Sequence, residues 1–188
     1  MPALTGPLVD LLWFREIGFQ TVFTTELTAK ALLFVIGAVV AYFFFTLNAR
    51  IATEGVSKAP VLWRVSPELP PVDVGRSLSK VKKPLGFFFA FAFGTSAVGA
   101  WMKILQFTNS SSFGVTDPIF GREIGYYVFV LPAIASVLGF LRALVILTLI
   151  ICLILHLLRG RVTLPPQRVG LDSPADKHIA GLLVAFSC

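Results

Sequence analysis

From Ala31 to Leu47 the chain runs for 17 consecutive residues without a charge, most of them Phe, Val, Leu or Ala. As a helix, at about 1.5 Å per residue, this run spans roughly 26 Å, close to the roughly 30 Å hydrocarbon core of a bilayer. Such a stretch has few choices. A lone strand would leave its backbone groups unpaired in lipid, whereas a helix satisfies them within itself. Two more runs follow the same pattern, Pro84 to Met102 and Ala143 to Leu158, the latter uncharged when His156 is neutral. With 56% hydrophobic and 14% charged residues, the chain is too apolar for an ordinary soluble domain. The expected fold is therefore an all-α membrane protein. One membrane domain over 1–188 holds three transmembrane helices, at 27–47, 84–102 and 138–158, with short interfacial amphipathic helices.

The segments between the runs are read from their charges and prolines. Residues 7–20, PLVDLLWFREIGFQ, mix apolar side chains with Asp10, Arg15 and Glu16. They are expected to form a helix in the headgroup plane anchored by Trp13, the competing reading being a helix packed on other protein. Glu26 and Lys30, four apart, can pair where the first span begins. The connector 48–83 contains Pro60, Pro67, Pro70 and Pro71, which favour extended or polyproline segments, and Trp63 is expected to return to the interface. Pro84 suits the first turn of the second span, which Lys103 is expected to end. Gly86, Ala90 and Gly94 fall on one face of that span, and Ala92, Ser96 and Ala100 on another. Such small-residue lines let helix backbones approach closely, against the alternative of a thin helix with no specific partner.

The stretch 103–132 organises the rest. It carries Gly114, Gly121, Gly125, Pro118 and Pro132 among aromatics. Asp117 before Pro118 resembles a helix N-cap with Pro at the first position, and Gly121 would stop that single turn. A helix from Tyr126 to Leu158 would be about 50 Å, too long for one span, so a short interfacial helix bending at Pro132 is expected. Arg142, near the start of the third span, can reach headgroups; with Trp13, Trp63 and Trp101 it completes the expected interfacial set.

The formal charge of +6 sits mostly beside the apolar runs, which fits topology and anionic lipid rather than nucleic acid. Seven Lys and Arg lie in 48–83 against two in 103–125. The positive-inside rule then puts the connector and the 159–188 tail in the cytoplasm and the 103–125 loop outside. The apolar start at Ile179 to Phe186 is too short to cross. Cys152 and Cys188 are read as free thiols, and no cleavable signal is evident. No paired carboxylates, nucleophile motif or metal-type spacing occurs, so neither a catalytic site nor a metal site is expected. His156 is the one unusual group in an apolar helix. It is the candidate ligand for a haem iron or a pigment magnesium; the competing reading is an imidazole near the interface, three residues before Arg159.

The segment FGVTDPIFGREIGYYVFVLP (Phe113 to Pro132), with LLWFREIGFQTVF (Leu11 to Phe23), resembles uncharacterised protein family 0182, a family of bacterial multi-pass membrane proteins. The resemblance covers most of the chain. It implies a bundle of about seven spans in longer relatives, of which this chain would lack the first span and everything past the start of a later one. It implies the bacterial inner membrane and carries over no catalytic residue. The expected role is a structural or accessory subunit of a larger membrane complex, photosynthetic or respiratory, with membrane lipids and other transmembrane subunits as partners. A part of a transporter, or a piece of a longer protein, is the alternative.

Overall fold

The computed structural model describes residues 5–53, 62–63, 72–158, 162–163, 170–171 and 173–187. The architecture is all-α. The helices are α1 (Thr5–Glu16), α2 (Gln20–Thr53), α3 (Val74–Val98), α4 (Trp101–Thr108), α5 (Leu131–Leu158) and α6 (Ser173–Ser187), with a π-helical turn at Tyr126–Val130. Two-residue strands pair antiparallel, β1 (Leu62–Trp63) with β2 (Val72–Asp73) and β3 (Val162–Thr163) with β4 (Gly170–Leu171). Two helical stretches, Gln20–Thr53 and Tyr126–Leu157, are long and apolar enough to cross a membrane, and α3 with α4 makes a third if that bent pair is one span. The chain divides into two compact units, residues 1–37 with 94–137 and residues 38–93 with 138–188.

In the first unit, Lys30 on α2 pairs with Glu26, and its ammonium sits 4.9 Å from the ring centre of Trp101. Gly94 of α3 lies against Phe34 of α2 so closely that an added Cβ would stand 3.0 Å from the ring and from the backbone oxygen. The second unit has the core. Ala41, Phe45, Ala49 and Ala52 lie along one face of α2 and meet Phe89 and Phe93 of α3, Leu144, Cys152 and Leu155 of α5, and Leu182 of α6. Phe45 stacks on Phe89 at 4.5 Å, and Phe93 meets Phe140 edge-on at 5.5 Å. Gly86 is seated on Tyr42 and Thr46, with 3.0 Å to the Thr46 methyl carbon from an added Cβ. Between helices in lipid there is no water to expel, so such close packing supplies the attraction that burial supplies in soluble proteins.

Several expected boundaries move. The first span is part of a 34-residue helix, about 51 Å long, because good helix formers on both sides of the apolar run continue it. α3 begins ten residues before Pro84, so Pro84 lies inside the helix rather than in its first turn. Its ring removes one donor, to the Lys80 carbonyl, a loss a long helix tolerates. The second span does not run straight to Met102. It bends by 54° between Val98 and Trp101, and the helix resumes past Lys103 to Thr108. The break falls at Gly99, a poor helix former, where Gly99 and Ala100 donate to Ser96 and Ala97 in a tightened last turn.

At Pro132 the expected break is absent. The Leu131 N–H reaches back to the Tyr126 carbonyl, and this widened turn runs straight into α5. A π turn makes room for a proline ring that would otherwise press on the Val128 carbonyl. Downstream, α6 is a 15-residue helix where the sequence showed only an apolar start. The connector's prolines lie outside the described residues; its β1 and β2 are extended, as expected.

Gly94→Ala is expected to lower the unfolding free energy by about 1–3 kcal/mol, as overpacking does. Gly139→Ala, with nothing within 4 Å of the added methyl, should be neutral or stabilising by up to about 1 kcal/mol, since Ala is the better helix former. Thermal unfolding in detergent compares the two; equal melting curves would remove the tight seat from the account.

Candidate functional site

Two polar clusters stand out, one in each unit. In the second unit, Thr148, Cys152 and His156 follow one another at four-residue intervals on the buried face of α5, each with no exposed surface. The Thr148 hydroxyl has no hydrogen-bond partner among the described residues. His156 Nε2 lies 3.2 Å from His178 Nδ1 on α6, and His178 Nε2 lies 3.1 Å from Asn48 Oδ1 on α2. The proton positions follow from Asn48. Its Nδ2 donates to the Phe44 carbonyl at 2.7 Å, leaving Oδ1 as an acceptor. With both rings neutral, His178 Nε2–H donates to Asn48, and His156 Nε2–H donates to His178 Nδ1. One chain of hydrogen bonds therefore fastens α6 to both α5 and α2.

This corrects one part of the reading of His156, its reach to water or a headgroup: the ring is wholly buried. A haem iron or pigment magnesium at Nε2 would displace His178. Among the described residues, no three His, Cys, Asp or Glu side chains gather as a metal would need. Sequence reasoning left His178 and Asn48 out. A usable signal existed: Asn48 and His156 each close an apolar run just before an arginine, and so share a membrane face.

In the first unit, the loop after α4 is a tight hairpin. Thr116 and Glu123 form a bridge, the Asp117 N–H donates to Arg122 O at 2.7 Å, and the Ile124 N–H donates to Val115 O at 3.0 Å. Asp117 caps the turn as expected: its carboxylate accepts from the Ile119 N–H at 3.1 Å, the Phe120 N–H at 3.2 Å and the Tyr127 hydroxyl at 3.1 Å. Gly121 stops that turn at φ +64°, and Gly114 sits at φ +68°. Gly125 has ordinary helical angles but faces the Ser111 carbonyl, 3.1 Å from where a Cβ would stand. Glu123, which the sequence reading passed over, accepts the Phe113 N–H at 2.6 Å and ties the loop's two arms together. The Ile119 N–H is the largest influence on Asp117 and holds its carboxyl below the ordinary 3.8; desolvation opposes this, and the Phe120 N–H and Tyr127 hydroxyl add to the lowering.

The remaining expected residues divide. Gly86 and Gly94 are seated against α2, and Ala90 between them is half-buried. Ala92 and Ser96 are exposed, and the bend at Gly99 interrupts their line before Ala100. Trp101 lies under Lys30, while Trp13 and Arg142 are exposed. Trp63 is in β1, its side chain outside the described residues.

The model of an uncharacterised protein family, UPF0182, matches residues 1–188. The chain belongs to this family. UPF0182 proteins of Pelobacter propionicus and Frankia alni are 33% and 37% identical to it, over 95% and 93% of its length. A third, of Trichlorobacter lovleyi, is 30% identical over the whole chain. The chain spans about a fifth of the length of these curated relatives, 17% to 22%. No solved structure matches it.

Two outcomes are expected for this UPF0182 chain. His178→Leu takes away the partner of Asn48 Oδ1 and of His156 Nε2 and should cost about 1–3 kcal/mol of stability, the range for stranded buried polar groups. Thermal unfolding would show it, and an unchanged midpoint would make the histidine chain incidental. For Asp117 the folded-state value is depressed, so its contribution is present above the ordinary value and lost as pH falls through the folded one. Amide exchange at Ile119 and Phe120 should therefore accelerate below about pH 4, beyond the intrinsic rate. In Asp117→Ala it should be fast at every pH.

Proposed function

We propose that this UPF0182 chain is a non-enzymatic membrane-spanning module that packs against other transmembrane subunits in a larger bacterial membrane assembly. The observation that carries this reading lies on α3. One small-residue face of that helix seats Gly86 and Gly94 on α2, while Ala92 and Ser96 on another face stay exposed. A face able to bring two backbones together is a docking face for a helix. The relatives, about five times longer, are consistent with a role inside something larger.

In this reading the module lies in the cytoplasmic membrane with 103–125 outside and 48–83 and 159–188 inside, supported by the seven basic residues of 48–83 against two in the loop. One preparation tests both halves. In a Cys188→Ser background, a cysteine at Ser111 should react with a membrane-impermeant thiol reagent on intact cells, and one at Ser79 should not. Extracted in mild detergent, the chain should run well above monomer size, and Ser96→Phe should return it to the monomer. A lone monomer without the substitution, or labelling of Ser79 from outside, would overturn the proposal.

A further inference from the structure

Within the first unit, α2 and α4 enclose a groove of about 470 Å³. Its wall on α2 changes character along the helix. Thr24, Thr25 and Thr28 line one end, and Leu32, Leu33 and Ile36 the other, with Ile104, Leu105 and Thr108 of α4 opposite. The change falls at Lys30, where the uncharged run beginning at Ala31 sets the edge of the hydrocarbon layer. The hydroxyls therefore lie at headgroup depth and the aliphatic end at acyl-chain depth. A second hollow adjoins at the hydroxyl end, shares Thr25 and Leu105, and is lined by Glu26 and Trp101.

The hydroxyls are not spent on the helix. Threonines in helices commonly donate to the carbonyl three or four residues back. Thr24, Thr46 and Thr53 do so. Thr25 and Thr28, which line the groove, make no hydrogen bond among the described residues, so their hydroxyls are available to a ligand there.

We propose that this groove binds one phospholipid, its acyl chain along Leu32, Leu33 and Ile36 and its glycerol–ester region against the Thr25 and Thr28 hydroxyls. A transmembrane helix would match the aliphatic end but would leave those hydroxyls facing apolar side chains. An amphiphile whose polarity reverses at the same depth satisfies both ends. The groove's volume, about 470 Å³, takes part of such a lipid, one acyl chain with its ester, and leaves the rest in the bilayer.

The test uses the intact chain, washed in mild detergent until loosely held lipid is gone and then assayed for organic phosphate. The expected result is about one phospholipid per chain, as for a single formed site. Ala29→Phe, which places a ring in the groove, should abolish retention. Thr25→Val with Thr28→Val, which keeps the shape and removes the hydroxyls, should lower it several-fold. Separately, the chain is reconstituted with dibrominated phosphatidylcholine, and Trp101 emission is taken as the difference from Trp101→Phe. Quenching should persist after dilution into unbrominated lipid. The proposal is overturned if the chain retains no phosphate, or if Ala29→Phe folds and retains as much. It is equally overturned if Trp101 escapes quenching because a second copy or another helix covers it. Should Ala29→Phe not fold, phosphate content and Trp101 quenching of the unaltered chain decide.

Discussion

The close approach of α2 and α3 underlies the fold. Lipid offers apolar helices no reason to leave it, so attraction between them comes from atoms packed at van der Waals distance. Gly86 and Gly94 provide that distance, one against Tyr42 and Thr46, the other against Phe34. In the same pair of helices, Phe45 of α2 stacks on Phe89 of α3. At each glycine an added methyl group would press on a neighbour at 3.0 Å.

The polar groups are placed with the same economy. An amide or imidazole in an apolar interior costs several kcal/mol unless it is bonded. Asn48, His178 and His156 meet that condition by joining three helices in one line. The line holds α6, which among its described side chains buries the apolar Ala175 and Leu182, of which Leu182 joins the core. At the other chemical extreme, Lys30 is kept by an ion pair and an aromatic ring together. Membership in UPF0182 gives these features a family without giving them a reaction.

Much of this was legible in the residues. The apolar runs announced the long helices, the glycine spacing on α3 announced its seat, and Asp117-Pro118 with Gly121 announced the capped turn. What escaped had one of two causes. Helix ends went astray where charged residues continued a helix past its apolar run, as at Gln20–Glu26 and Val74–Lys83, since charge marks the edge of lipid and not the end of a helix. The histidine line escaped because its members are far apart in sequence, 130 positions between Asn48 and His178. At Pro132 the rule that proline breaks helices met a backbone able to widen by one residue instead.

That widening has a consequence for how the chain tolerates change. A turn at Tyr126–Val130 holding one residue more than an α turn keeps that residue inside the turn, so α5 continues with nearly the phase of an uninterrupted helix. Losing a single residue there would restore an ordinary turn and leave Leu144, Thr148, Cys152 and His156 on the face they now share. The same loss within α5, between Leu131 and Leu144, would rotate those four together by about 100°.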